Sequence, residues 1–249
     1  MHTDILDLRE FYLSSLGLTV RQRLRKRLRR IWPQVRGEKV LTLGYGTPLL
    51  RPILKDAAAV FAMMPAQQGV AFWPREGPNC SSLVDFNNLP LPDNSIDRIV
   101  LFHAVEVTSD PAEFLDELFR ILKPNGRMLL VVPNRLGIWA HSERTPFGNG
   151  QPYSARQVRN LLTDHGFFVD RTWPALFFPP TSSRIILSFS ELIERLGERL
   201  FPSFGGVLVT ESGKQVYAPL LTKAAPRQRR MILPLPMPSP MPPIPAGRG

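Results

Sequence analysis

From residue 39 to about residue 173, short apolar runs alternate with segments whose apolar residues recur every three or four positions. These are the patterns of strand and helix respectively. Strands separated by helices cannot close as hairpins, so each return needs a crossover. The pattern therefore commits the chain to an open, mostly parallel sheet with helices on both faces. The predicted strands are 40–43, 59–64, 82–84, 97–103, 127–132, 167–173 and 207–210. Beyond its first residue the run 127–132 is wholly apolar, which suits burial on both sides of a sheet.

The clearest helix starts at Asp110, a good N-cap, with Pro111 in the first helical position and Phe114, Leu115, Leu118, Ile121 and Leu122 on one face. It stops at Lys123-Pro124-Asn125-Gly126. A second helix is capped by Ser154 and carries Val158, Leu161 and Leu162 on one side. A short helix is predicted over 47–57, confined by Pro48 and Pro52. A single N-terminal helix is predicted over 3–32, with Thr19 as an N-cap for its basic part. Another helix, over 184–200, lines up Ile185, Phe189, Leu192, Leu196 and Leu200 before the last strand.

Charge divides the chain. Residues 1–39 hold ten Lys/Arg against four acids, residues 40–182 twelve against thirteen, and residues 183–249 nine against four. The net +10 thus belongs to the two ends, and an acidic partner such as RNA is suggested for the flanks only. Arg21, Arg23, Arg25, Lys26, Arg27, Arg29 and Arg30 cover one side of the N-terminal helix. Such a face suits RNA or an anionic surface, and equally a solvated face on a helix that covers the sheet. Residues 231–249 hold seven prolines and no hydrophobic period.

One cysteine, Cys80, allows no internal disulfide and no cysteine-based metal site, and neither His-Glu-x-x-His nor Cys-x-x-Cys occurs. No metal is expected. No run approaches about eighteen apolar residues, so no spanning helix is predicted. The start of the sequence lacks a basic segment followed by an apolar one. The expectation is a cytoplasmic protein.

Two stretches carry chemistry. Val40-Leu41-Thr42-Leu43-Gly44-Tyr45-Gly46-Thr47-Pro48 places two glycines directly after a strand, where a backbone without Cβ atoms can approach a ligand. A tight turn explains that pair nearly as well. The second stretch runs from Asp85-Phe86 through Leu89-Pro90-Leu91-Pro92-Asp93-Asn94-Ser95-Ile96-Asp97 and Phe102-His103-Ala104-Val105-Glu106. It continues through Asp110-Pro111 and Arg120-Ile121-Leu122-Lys123-Pro124-Asn125-Gly126-Arg127 to Val132-Pro133-Asn134.

In spacing and residue type this run resembles the class I S-adenosylmethionine-dependent methyltransferases, and most closely their quinone-biosynthesis subgroup. The resemblance covers roughly residues 38–173 and is most specific from Asp85 to Pro133. It implies an α/β, Rossmann-like seven-stranded sheet, mostly parallel with the last strand antiparallel, preceded by N-terminal helices and holding a helical insertion before that strand. The implied divisions are a basic helical region at 1–37, the methyltransferase domain at 38–222 with its insertion at 184–200, and a basic, proline-rich tail at 223–249.

The resemblance also implies S-adenosyl-L-methionine as cofactor. Gly44 and Gly46 would line its amino-acid end, with Thr42 and Tyr45 alongside. Asp85 would accept from the adenine amino group, and Phe86 would offer a backbone N–H and an apolar surface. Phe102 and His103 would close over the reacting methyl. In-line methyl transfer asks mainly for alignment and a dry cavity, so the lack of a catalytic triad does not exclude an enzyme. His103 and His141 are the candidate bases, with Trp139, Arg144, Phe147 and Tyr153 of the loop 133–153 as candidate acceptor contacts.

Three positions depart from the family pattern. Thr42 stands where an acid is usual, Pro48 where a third glycine is usual, and Met64 where a carboxylate usually holds the ribose diol. Each lost charge-assisted hydrogen bond costs about 1.5–3 kcal/mol, roughly ten- to a hundred-fold in affinity. Gln67 or Gln68 offers a neutral substitute at a neighbouring position. Three functional readings follow. The first is an active methyltransferase with an unidentified small-molecule, protein or RNA acceptor. The second is a degenerate member serving as a binding or regulatory subunit. The third is an enzyme completed by a small zinc-binding activator subunit.

Overall fold

A computed structural model describes residues 4–106 and 108–214 of the chain. The proline-rich tail expected at 223–249 lies outside the described residues.

Asp4 caps α1 (Ile5–Leu13) by accepting from the Leu6 N–H, and Ile5, Leu8 and Tyr12 form its buried face. Ser14 then divides what reads in the sequence as one helix. Its N–H bonds to the carbonyls of Glu10 and Phe11, ending α1, while its hydroxyl accepts from the Gly17 N–H and starts α2 (Ser15–Ile31). Gly17 makes the corner sterically feasible, because a Cβ there would stand 1.9 Å from the Phe11 carbonyl oxygen. Thr19, expected as a cap, lies within α2 and bonds back to the Ser15 carbonyl. Val20, Leu24 and Leu28 of α2 are buried, which is the spacing of three and four read in the sequence.

The sheet has seven strands: β1 (Lys39–Gly44), β2 (Ala59–Pro65), β3 (Ser81–Val84), β4 (Ile96–Phe102), β5 (Leu122–Pro133), β6 (Phe167–Ala175) and β7 (Val207–Lys214). Their spatial order is β3-β2-β1-β4-β5-β7-β6. The first five run parallel, and β7 lies antiparallel between β5 and β6. The strand order therefore reverses between β1 and β4, and ligands of such sheets bind off the carboxyl ends near that point. β5 begins earlier than expected because Leu122 already pairs with Ile96. The Lys123–Gly126 turn is then absorbed as a register shift before Arg98 pairs with Arg127.

α3 (Thr47–Leu50) is only four residues long, and turns carry the chain on from it, so the prolines shorten the expected 47–57 helix. α4 (Pro111–Ile121) has the expected Asp110 cap, which accepts from the N–H groups of Ala112 and Glu113. α5 (Ala155–Asp164) opens on a reciprocal capping box between Ser154 and Gln157. The insertion is two helices rather than one, α6 (Arg184–Ser188) and α7 (Ser190–Leu200), parted at Phe189. One apolar cluster joins the sheet to α1 and α2, and the other joins it to α4 and α5.

Candidate functional site

A cavity of about 590 Å³ opens off the carboxyl ends of β2 and β3. Pro65, Gln67 and Gln68 from the end of β2 line it together with Asp85, Phe86 and Asn87 from the end of β3, and Thr108 and Ser109 come from the segment after β4. Phe86 is buried and stacked on Phe114 with ring centres 4.6 Å apart, so α4 fixes it. The Asp85 carboxylate accepts from the Asn87 N–H at 3.0 Å and is otherwise open to the cavity mouth. Gln68 is 4% exposed; its Nε2 donates to the His103 carbonyl across a long 3.4 Å, and its Oε1 has no partner. A buried acceptor without a donor costs about 1–3 kcal/mol, a cost that a hydroxyl or N–H reaching the Gln68 amide would relieve.

Next to the cavity, at the tips of β1 and β4, the space is filled. Tyr12 of α1 lies between Tyr45 and His103, with ring centres at 5.7 and 5.9 Å, and against Phe102 at 5.7 Å. Its hydroxyl is 2.8 Å from His103 Nε2. Phe147 closes the other side of His103 at 5.0 Å, and Trp139 packs edge-on against Phe147. Burial, followed by the nearby Glu106 and Tyr45, holds the Tyr12 hydroxyl well above its ordinary pKa. It is therefore a neutral donor or acceptor.

The backbone here is strained. His103 adopts φ +52°, a left-handed region that non-glycine residues take uncommonly, histidine more readily than most, and such strain gathers at functional sites. Its Nδ1 lies 3.2 Å from Glu106 Oε1 but out of line for a hydrogen bond. Both oxygens of the Glu106 carboxylate are thus buried without a hydrogen-bond partner. Gly44, at φ +75°, is required on two counts, since a Cβ would fall 2.4 Å from the Phe102 carbonyl oxygen. Gly46 has a local reason: a Cβ there would strike Thr42 Oγ1. Thr42 is itself buried and donates to the Val100 carbonyl.

The residues singled out in the sequence therefore separate into two groups. Asp85 and Phe86 line the cavity, while Thr42, Gly44, Tyr45, Gly46, Phe102 and His103 belong to the closed aromatic group beside it or support it. Met64 is fully buried in the core, and the cavity wall at that strand end passes to Pro65, Gln67 and Gln68. His141 is solvent-exposed at the end of a 3-10 turn. The loop 133–153 corrects an expectation. Trp139, Phe147 and Tyr153 are core residues rather than an acceptor grip, because Trp139 Nε1 donates to the Phe178 carbonyl and Asn134 ties the loop to Ser203 and Gly205. His165 pairs with Asp116 at 2.6 Å, a structural role.

Tyr12 and Glu106 were not expected as site residues. Tyr12 continues the Ile5, Leu8 spacing, which reads simply as core, and only the α1–α2 corner brings it to the tip of β4. Glu106 carried one signal, an acid three residues after a strand-end histidine. On α2 the cations are largely engaged: Arg23 and Lys26 pair with Glu191, Arg27 with Glu198, and Arg25 donates to the Pro48 carbonyl.

The sheet order, the cavity and the glycine loop can be set against known proteins. The family model described as "Methyltransferase domain" matches residues 17–172. The chain belongs to that family. This methyltransferase domain is 37% identical over 86 residues to a protein of Mycolicibacterium smegmatis named as a probable S-adenosylmethionine-dependent methyltransferase, covering 34% of this chain and 33% of that one. It is 31% identical over 140 residues to a similarly named protein of Mycobacterium tuberculosis, covering 55% of this chain and 49% of that one. The chain thus spans a third to about half of the length of these relatives.

Among solved structures it resembles a SAM-dependent methyltransferase of Thermotoga maritima, with TM-score 0.59, 17% identity, and 84% of this chain and 95% of that one covered. It also resembles a Haloferax volcanii complex of the Trm112 methyltransferase activator and a methyltransferase, with TM-score 0.54, 21% identity, and 76% and 87% covered. These structural likenesses establish the class I, Rossmann-like fold of the domain.

Proposed function

We propose that the chain is an S-adenosylmethionine-dependent methyltransferase that seats the nucleoside half of its cofactor in the β2–β3 cavity. The observation that carries this reading is that one cavity is lined both by Asp85, whose carboxylate is exposed, and by Gln68, whose buried Oε1 has no hydrogen-bond partner. An adenine amino group is a donor suited to Asp85, and a ribose hydroxyl is a donor suited to Gln68. The residues present therefore fit the nucleoside, with the amide of Gln68, four positions on, serving in place of the carboxylate that Met64 replaces. When bound, the cofactor supplies a methyl group already activated by a sulfonium centre.

The chain's own residues then have to align that methyl and exclude water. Phe86 offers an apolar face, and Phe102, Phe147 and Tyr45 keep the tips of β1 and β4 dry. His103, with Glu106 behind it, is the base this reading assigns for an acceptor that loses a proton; His141, exposed, is not. Tyr12 occupies the space between Tyr45 and His103, so the domain is closed over its reactive end. Drawing α1 back would free His103 Nε2 and open that space. The reading therefore makes α1 a gate.

Two extensions have specific support. The fold likeness to a protein solved with the Trm112 activator supports a small activator subunit of the zinc-binding kind, and the free edge of β3, where Leu83 is half exposed, is where it would complete the cavity wall. Arg21, Arg29 and Arg30, outside the α2–α7 pairing, are left for an acidic acceptor such as RNA. The closed aromatic group also favours a second reading, a catalytically degenerate domain that binds or regulates. Incubating the full chain with methyl-labelled cofactor and cell extract separates the two. Label transferred to an extract component supports the enzyme, and cofactor binding with no transfer, even after a pull-down has supplied any small partner, supports the regulator.

A further inference from the structure

α7 packs inside out. Its carboxylates face the protein: Glu191 pairs with Arg23 and Lys26, Glu198 pairs with Arg27, and Glu194 accepts from the backbone N–H groups of Leu176 and Phe177 at 2.8 Å each. Phe189, Leu192, Leu196 and Leu200 recur at three and four residues on the opposite side, preceded by Ile185 and followed by Phe201 and Phe204. These seven side chains are between 48% and 73% exposed. A helix ordinarily buries such a stripe, and a contiguous patch of large apolar residues marks an interaction surface.

The charges around the stripe have one sign. Arg195 and Arg199 flank it on α7 and Arg184 precedes it; all three are exposed, and among the described residues Arg184 and Arg199 form no ion pair. Every acid of α7 is turned the other way, toward α2 and the loop after β6. We propose that this face docks on an anionic lipid surface. The stripe would enter the boundary between headgroups and acyl chains while the guanidiniums sit at phosphate level, the arrangement of an interfacial amphipathic helix. A second copy packed through the same patch brings further arginines and no outward-facing acid of α7 to meet them, and the chain's own tail is basic as well, so charge complementarity selects the lipid. The domain lies on the membrane in this arrangement, and no helix among the described residues is long and apolar enough to cross it.

The test is cosedimentation of the full chain with vesicles of phosphatidylcholine alone or with about one third phosphatidylglycerol, an anionic lipid. Binding is expected only to the anionic vesicles, weakening with salt. L196E/L200E should bind about tenfold more weakly or worse, and R184E/R199E should lose most of the preference for anionic lipid. Both pairs are exposed, so thermal unfolding should match wild type and separate a lost surface from a lost fold. As a second readout, the emission of a Phe204→Trp variant should shift to the blue when anionic vesicles are added. No binding to anionic vesicles, or equal binding to neutral ones, overturns the proposal. So does a two-chain mass by light scattering that falls to one chain in L196E/L200E, since the patch is then a dimer interface.

Discussion

Replacing Tyr12 by Phe removes one hydroxyl and leaves the ring in place. The ring is 2% exposed and touches Phe11, Tyr45, Phe102 and His103, so the packing is unchanged and the loss is the 2.8 Å bond to His103 Nε2. A buried hydrogen bond of this kind contributes about 1 kcal/mol net, and the orphaned imidazole nitrogen raises the total to roughly 1–2 kcal/mol. For a domain of this size the unliganded protein should melt about 2–8 °C lower. If α1 gates the site, the same change destabilises the closed form alone. The competent fraction, and with it the apparent affinity for S-adenosylhomocysteine, should then rise roughly 5- to 30-fold. Lower stability with tighter binding is the signature. Calorimetric titration of the two proteins, alongside their melting curves, measures both. Weaker binding by Y12F places Tyr12 in the binding surface, and unchanged binding means that α1 does not gate; either outcome refutes the argument.

Asp85→Asn should weaken S-adenosylhomocysteine binding about ten- to a hundred-fold by loss of a charge-assisted hydrogen bond, with melting of the free protein unchanged because the carboxylate is exposed; a change in melting without a change in affinity contradicts its role. Glu106→Gln relieves a buried carboxylate that has no hydrogen-bond partner, so the variant should be at least as stable as wild type in urea, yet slower in any transfer that needs His103 as base. Lys26, Arg23 and Arg195 hold the Glu191 carboxyl down at about 2. Its contribution to α2–α7 docking is therefore complete above the ordinary value of 4.5 and is lost as pH falls through about 2. Melting curves of wild type and E191Q should differ at neutral pH and converge in strong acid, and a gap that persists there removes the linkage.

Much of the architecture was legible because it rests on local signals. Asp110-Pro111 and Ser154 announced their helices, and the apolar run before Pro133 announced a buried central strand. The order of strands followed from the resemblance, since spacing alone does not say which strands pair. Two breaks were missed for the same reason: Ser14 and Phe189 interrupt continuous apolar periods, so the period carries across residues whose caps and dihedrals end the helix.

The site was legible in part. Asp85 and Phe86 lie next to each other in sequence and stay together in the cavity. The glycine loop and the Phe102-His103 pair instead meet α1, ninety-one residues away from His103 along the chain, and no local pattern reports that contact. The loop aromatics misled because Trp and Phe among glycines and prolines read equally as a binding loop or as a satellite core. Burial of Trp139 against Phe178 decides for the core. The basic helix likewise reads as a free surface until the carboxylates of α7 are placed opposite it.

The central claim is a nucleoside pocket between Asp85 and Gln68. A crystal structure of the full chain with S-adenosylhomocysteine tests it most directly. The account predicts adenine density against Phe86 with its amino group at Asp85, and the ribose within hydrogen-bonding distance of Gln68. A complex showing the nucleoside elsewhere, or no ligand in crystals and no heat at millimolar concentration in solution, would contradict it.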